Sequence, residues 1–371
     1  MTGALRVVLA GGGTAGHTSP LIATAQELAA AGDVQLSCIG TNRGLETSVI
    51  PAAGLELDLI EPVPLPRSLT PELGKVPVRL VRAVQQARAI LHRRRAQALV
   101  GFGGYVSMPA YFAARSMGVP IIIHEQNAVP GLANKVASRF ARRVATSFPD
   151  TPLPRAEFIG LPVRTEIAAL ANDGEPSRDE ARAALGLDAD RPTLLVSGGS
   201  QGARSINNAT VAARDDLLAQ GVQVLHVWGR KNFTDDMQVT THDESGARYV
   251  PVAYVDGMHQ AYAAADLMLG RSGAGTVVET AVVGLPGVFV PLPHGNGEQA
   301  RNADPLVAAG AAVIVPDAEL NKGRLLHEVG PLLADAEKLS TMSRAGRTLM
   351  SADAAATLAR MVVEAARTEG K

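Results

Sequence analysis

Residues 11–20 read GGGTAGHTSP. An apolar run, Arg6 to Ala10, precedes them and a helical pattern, LIATAQELAAAG, follows. Strand, glycine turn, helix start is the arrangement that points backbone N–H groups at a phosphate. His17 stands at the mouth of that helix. The positive end of the helix dipole favours a neutral ring there, and a neutral imidazole is what a general base must be. The same spacing allows a hydrogen-bonded loop histidine without chemistry. A second acid–base candidate, Glu125, lies in HEQN (124–127) at the end of another apolar run, with Asn127 as its polar neighbour.

Further glycine loops follow the same grammar. GFGGY (101–105) ends in Tyr105, and GGSQGA (198–203) places Ser200 and Gln201 where a hydroxyl and an amide would join backbone N–H groups around a diphosphate. Tight turns between strand and helix would explain each loop taken singly. A fourth, GRSGAGTVVE (270–279), opens a helix through Ala274, Gly275 and Thr276 and reaches Glu279 early on it. Glu279 either complements the helix dipole or accepts both hydroxyls of a ribose. In PHGNGEQARNA (293–303), Gln299 and Asn302 fall three apart on a helix start, where paired amides read sugar hydroxyls or simply face solvent.

Other readings of these loops fail. Gly11, Gly13 and Gly16 fit the dinucleotide fingerprint, but the second strand ends CIGTNRG without the acid that would hold an adenine ribose. No loop continues into Gly-Lys-Ser/Thr, which excludes the P-loop. The Asp-x-Asp of DAD (188–190) precedes a strand, away from the binding edge, and reads as a solvated turn. No divalent metal and no cofactor is expected.

These loops need elements to hold them. Short apolar runs alternate with helical periodicity along all 371 residues. They begin at 6, 34, 57, 98, 119 and 143, and again at 193, 222, 248, 266, 287 and 311. Runs this continuous predict parallel strands buried on both faces. The pattern restarts after ANDGEPSRDE (171–180), with GLPVR (160–164) as the crossing point. The expected fold class is α/β, two Rossmann-like domains with parallel sheets facing a cleft, divided as 1–160 and 161–352.

Bulk properties narrow the partners. Residues 1–160 hold 16 Lys/Arg against 10 Asp/Glu, and residues 161–371 hold 19 against 26. A basic half beside an acidic one suggests that the first half meets an anionic surface or substrate. Aromatic residues are only 4%, too few for base-stacking platforms, so nucleic acid is not expected. Cys38 is the single cysteine, which excludes an internal disulfide. With no long apolar stretch and no basic-then-apolar leader, a cytoplasmic location is expected. On a helix starting near residue 73, Lys75, Arg79, Arg82 and Gln86 share one stripe, Val78 and Val81 lie beside it, and RRR (93–95) closes the segment. That pattern suits an anionic bilayer surface, or an ordinary helix with arginines outward.

Taken in order, GGGTAGH, GFGGYVS, HEQN, GLPVR, GGSQGA and RSGAGTVVE through EQARNA resemble the motifs of the MurG family of bacterial glycosyltransferases, from about residue 6 to 303. One departure is Ala15, where the commoner family loop has a glycine. The resemblance implies a GT-B fold and transfer of N-acetylglucosamine from UDP-N-acetylglucosamine to a lipid-linked muramoyl-pentapeptide, lipid I, giving lipid II. It implies that Ser200 and Gln201 contact phosphate, Arg164 sits at the nucleotide site, the Val255 backbone meets uracil, Glu279 the ribose and Gln299 the sugar. Thr14, Ala15, Gly16 and Asn127 would approach from the first domain. The last helix, 353–369, would return to that domain, and the protein would sit peripherally on the cytoplasmic face of the membrane. A nucleotide-sugar epimerase of the same fold, or a non-catalytic nucleotide-sugar-binding module, remains an alternative.

Overall fold

The computed structural model describes residues 4–63, 76–172, 174–199, 202–294 and 296–367. The chain divides into two units, one of Met1–Arg164 with Asp353–Lys371 and one of Thr165–Ala352. The line between them falls four residues beyond the expected 160.

The first unit begins β1 (Leu5–Ala10), α1 (Ala15–Ala30), β2 (Val34–Thr41), α2 (Glu46–Ala52), β3 (Glu56–Ile60) and α3 (Val76–Arg93). It continues with β4 (Ala98–Gly101), α4 (Ser107–Ser116), β5 (Ile121–Glu125), α5 (Leu132–Ala137), β6 (Arg143–Thr146) and β7 (Ala156–Phe158). The sheet order is β3-β2-β1-β4-β5-β6-β7, parallel throughout. Its apolar runs alternate between two cores. Val7, Leu9, Val100 and Ile122 face a layer containing Leu21, Ala25 and Leu28 of α1. Val8, Leu99, Ile121 and Ile123 face Ala83, Ala87 and Leu91 of α3 and Ala110 and Ala114 of α4. Period-two side chains on a doubly covered sheet require both faces to be apolar, which is why the strands read as unbroken runs. Cys38 lies inside this core, and burial pushes its thiol pKa up to about 12.

The second unit runs α6 (Thr165–Leu170), α7 (Arg178–Ala184), β8 (Thr193–Ser197), α8 (Arg204–Ala219), β9 (Gln223–Val227), β10 (Thr240–Thr241), β11 (Arg248–Val252), α9 (Met258–Ala264) and β12 (Leu267–Gly270). Then come α10 (Ala274–Val283), β13 (Gly287–Phe289), α11 (Glu298–Ala308), β14 (Ala312–Ile314), α12 (Lys322–Leu333) and α13 (Ala336–Leu349). In the order β10-β11-β9-β8-β12-β13-β14, the six strands from β11 to β14 repeat the winding of β3 to β6, and β10 adds an antiparallel edge. One face is covered by Ile206, Ala213 and Leu217 of α8 and by Leu325, Val329 and Leu332 of α12.

The last helix, α14 (Ala354–Arg367), packs on α1 of the first unit, burying Leu358, Met361 and Val362 with Val7, Leu9 and Leu21. Truncating Leu358 to alanine there costs about 2–5 kcal/mol.

Among the described residues the strands follow the apolar runs. Two elements lacked that signal. The three residues of β7 are all exposed, and β10 is a two-residue pairing of threonines.

Candidate active site

In each sheet the strand order reverses beside the first strand, between β1 and β4 and between β8 and β12. Doubly wound sheets bind ligands at the carboxyl ends of the strands at this reversal. The glycine loops 11–14 and 102–106 stand at the first reversal, and 198–203 and 271–273 at the second.

In the first unit, Thr14 is the N-cap of α1 and His17 the third helical residue. Thr14 Oγ1 and His17 Nδ1 are 3.0 Å apart, which fixes the ring's orientation in either tautomer. The amides of Ala15 and Gly16 begin the helix and have no place in its hydrogen-bond ladder. Burial lowers the half-buried His17 pKa, and the Glu46 carboxylate opposes it, with a net shift below the ordinary value. His17 is therefore neutral near pH 7.

The first glycine loop does not offer all its amides to a ligand. Gly13 N–H donates to Glu46 Oε2 at 2.7 Å, and Glu46 Oε1 accepts from Thr41 N–H at 3.1 Å and the Thr41 hydroxyl at 2.8 Å. Burial pushes the Glu46 pKa up, but these donors outweigh it and hold it below the carboxylate range. This loop therefore departs from the expected phosphate cradle: one of its amides is already bound to a carboxylate. The second loop presses against it. A Cβ on Gly104, whose φ is +81°, would come within 2.8 Å of the Gly12 carbonyl oxygen. Ser107 Oγ donates to Gly103 O at 2.6 Å, fixing the turn. A Cβ on Gly103 would lie 3.4 Å from both His17 Cδ2 and Asn134 Nδ2, so the imidazole and that amide flank this glycine. Tyr105 is exposed.

Glu125 differs from the expected second base. It is buried and accepts from the Asn127 and Gly131 amides at 3.0 Å each and from Asn134 Nδ2 at 2.8 Å. Burial raises its pKa against these bonds. With its oxygens occupied by donors from the loop it precedes, its geometry is that of an anchor for 126–131. Asn127 itself is half-buried on that loop. Asn134 also accepts from the Tyr111 hydroxyl at 2.7 Å. His124, behind it, is fully buried, and burial lowers its pKa to about 4.

In the second unit, Ser200 and Gln201 lie outside the described residues. Beside them, Gly202 N–H donates to Gly199 O at 2.9 Å. Any Cβ on Gly198 would meet Ala203 N at 2.3 Å, and one on Gly202 would meet Asn232 Nδ2 at 2.2 Å, so the strand-to-helix turn tolerates only glycine at both. At the neighbouring loop Gly273 is the N-cap of α10, with Ala274, Gly275 and Thr276 as its first turn. A Cβ on Gly273 or Gly275 would meet nothing within 4 Å, so this helix start is open to a ligand. Ser272 Oγ is buried there without a hydrogen-bond partner among the described residues.

Glu279 is the sixth residue of α10, in its second turn, where the helix dipole has little hold. It is half-buried, and its Oε2 accepts from the Tyr262 hydroxyl at 2.8 Å. That aims the carboxylate and favours the ligand reading over the dipole reading. Gln299 and Asn302 separate in role. Gln299 is half-buried and its Oε1 accepts from Leu292 N–H at 2.9 Å, fixing its amide. Asn302 is fully buried and donates to Ser272 O at 3.3 Å, so it braces the open loop and does not face sugar hydroxyls as expected. The Val255 side chain is buried, and Arg164 is half-buried with its Nε lacking a partner among the described residues.

Sequence reasoning missed three supports. Glu46 lies five residues past β2 with no periodicity to mark it. Asn134 follows the motif it serves. Arg271 donates to Asp317 Oδ1 at 2.5 Å, to Ser205 Oγ at 3.1 Å and to Val290 O at 3.0 Å, tying together four segments far apart in sequence. The Asp188 carboxylate accepts from Asp190 N–H at 3.0 Å within its own turn before β8, at the opposite edge of the sheet.

Residues 7–146 match the glycosyltransferase family 28 N-terminal domain, and residues 193–358 match its C-terminal domain. The chain belongs to glycosyltransferase family 28. This family 28 chain is 61% identical over 367 residues to the UDP-N-acetylglucosamine–N-acetylmuramyl-(pentapeptide) pyrophosphoryl-undecaprenol N-acetylglucosamine transferase of Cutibacterium acnes, covering 98% of each. It is 55% identical over 361 residues to the enzyme of that name from a Nocardioides strain, covering 97% of this chain and 98% of the other. Among solved structures, the crystal structure of Acinetobacter baumannii MurG superposes with a TM-score of 0.76 at 28% identity, covering 97% of this glycosyltransferase and 99% of that one. The fold class is GT-B, with one family 28 domain in each unit.

Proposed function

We propose that this glycosyltransferase moves N-acetylglucosamine from UDP-N-acetylglucosamine to the C4 hydroxyl of the muramoyl sugar in lipid I, forming lipid II and UDP with inversion. The similarity to transferases of that name along the whole chain carries this reading. The second unit would hold the donor. The open start of α10 and the turn around Ser200 and Gln201 take the diphosphate, Glu279 the ribose hydroxyls, the Val255 backbone the uracil and Gln299 the sugar. Backbone amides at helix starts stabilise the leaving diphosphate electrostatically, so no divalent ion is required.

The first unit would supply the base. With Nδ1–H donating to Thr14 Oγ1, His17 carries its lone pair on Nε2, the nitrogen nearer Gly103. It takes the proton of the acceptor hydroxyl as that oxygen attacks the anomeric carbon and the bond to UDP breaks. Glu125 is the weaker candidate because its oxygens are already occupied. The amides of Ala15 and Gly16 and the side chains of Thr14, Tyr105 and Asn127 would contact the acceptor or the transferred sugar.

The lipid acceptor requires a membrane surface. Among the described residues no helix is long and apolar enough to cross a bilayer. On α3, Val78 and Val81 are 56% and 57% exposed beside exposed Arg82, and this face would rest on anionic lipid at the cytoplasmic leaflet. The closing arginines contribute less than the sequence suggested, because Arg93 and Arg94 both pair with Asp58 of β3, at 2.6 and 2.8 Å. Lys75 lies outside the described residues.

The deciding experiment supplies radiolabelled UDP-N-acetylglucosamine with a short-chain lipid I analogue. Label entering lipid supports the transferase. An epimerised sugar formed from the donor alone would favour the epimerase, and binding without turnover on the complete substrate pair would leave only a binding module.

A further inference from the structure

We infer that Glu46 is a positioning residue for glycosyl transfer, one that sets the first glycine turn and, through it, the imidazole of His17. The inference rests on His17 being the base. Glu46 is fully buried, and its hydrogen-bond donors are the backbone amides of Gly13, Thr41 and Glu46 itself and the Thr41 hydroxyl. Among the described residues no lysine or arginine pairs with it. A buried carboxylate without a cation is costly, and a brace for a turn does not need a charge.

Three segments give up side-chain volume to admit it. A Cβ on Gly12 would lie 2.5 Å from Oε1, one on Gly40 2.8 Å from Cγ, and one on Gly44 1.9 Å from Oε2. From the carboxylate the path to the base is short. Oε2 holds the Gly13 amide, the next residue is the N-cap Thr14, and Thr14 Oγ1 holds His17 Nδ1. A shift of Gly13 is therefore a shift of the imidazole.

The charge has a second effect. As His17 takes a proton its ring becomes cationic, and the Glu46 field favours that form while burial opposes it. The elements packed on α1 carry few other titratable groups: Arg6 on β1, the buried thiol of Cys38 on β2, and Arg360, Glu364 and Arg367 on α14. The α1 helix adds Glu27, and the facing loop adds the phenol of Tyr105. Of these groups Glu46 is the one that acts on the ring.

Glu46→Gln is the direct test. A glutamine matches the shape, but its NH2 must face either the Gly13 amide or the Thr41 amide, donor against donor. The expected result is a kcat lowered roughly 10- to 100-fold with the donor KM held within about threefold. The acid limb of the kcat/KM profile moves to lower pH, and so does the His17 titration followed by NMR. Gly44→Ala keeps the charge and pushes the carboxylate off Gly13. It is expected to lower kcat too, and it decides the matter if Glu46→Gln does not fold. Parent-like kcat in these variants overturns the inference. So does a fall in kcat in Glu46→Gln with the acid limb and the His17 titration unmoved, which marks a scaffold only. His17→Ala separates the two levels: parent-like turnover there removes the base itself, whereas an inactive His17→Ala beside a normal Glu46→Gln removes only the positioning role.

Discussion

The hydroxyl of Tyr262, on α9, donates to the carboxylate of Glu279, on α10, at 2.8 Å. The bond crosses between two helices and leaves the carboxylate half-buried beside an open helix start. That fixed direction is what the ribose role proposed for Glu279 requires. Glu279→Ala is expected to weaken UDP binding by roughly 10- to 100-fold, the scale of hydrogen bonds to a charged group. Tyr262→Phe, which keeps the charge and loses only its aim, is expected to cost less than about tenfold. Calorimetric titration with UDP measures both, and unchanged affinity in Glu279→Ala would remove the ribose role.

His17→Ala is expected to lower kcat by at least about 10²-fold while leaving donor KM close to that of the parent. The pH dependence has a definite sign. A base works only when neutral, so activity falls as pH drops through its pKa. Burial puts the His17 pKa below the ordinary 6.5, so the acid limb should lie below that value. A limb above it, or near-normal turnover in the variant, contradicts the assignment.

Two other histidines make stability depend on pH. His124 and His226 are fully buried, and burial lowers their pKa values to about 4 and about 3. In the unfolded chain both titrate near 6.5. Their folded pKa values are depressed, so the unfolded state binds protons first as pH falls. Stability is full above about 6.5 and declines below it. At pH 5 each histidine costs about 2 kcal/mol relative to pH 7. One residue lies in each unit, so denaturant midpoints followed by probes in either unit should fall between pH 7 and pH 5. Equal midpoints would show that these rings are not held neutral.

The α3 surface gives a test independent of chemistry. Replacing Val78 and Val81 together by aspartate should weaken sedimentation with vesicles containing anionic lipid. Turnover on a detergent-soluble acceptor should stay near that of the parent, because neither side chain is in the core. Equal vesicle binding by parent and variant would place the membrane contact elsewhere.

The sheets were legible in the sequence because burial on both faces leaves long apolar runs, as in Ile121–Ile123. The exposed strand β7 was not, because an edge strand of Ala-Glu-Phe has no such pattern. Loop positions were legible from glycine, but the direction of a polar side chain was not. Asn302 and Gln299 read alike as amides three apart, yet one turns inward to Ser272 and the other stays at the surface. Glu125 reads as a base candidate because it ends a strand, and the donors that hold its carboxylate come from loop and helix residues that no periodicity marks. In the same way CIGTNRG showed no acid at the strand end. Glu46, on the next helix, turns its carboxylate back toward Gly13 and Thr41, which nothing in that stretch foretells.

The return of α14 to the first unit has a consequence for biosynthesis. The apolar flank of α1 that Leu358, Met361 and Val362 cover emerges from the ribosome more than three hundred residues before its cover does. The leading half of the polypeptide must wait, with Leu21 and Leu28 incompletely sheltered, while the whole trailing sheet is translated. Nascent chains halted before residue 354 would present that flank to chaperones, and full protection would arrive only with the final helix.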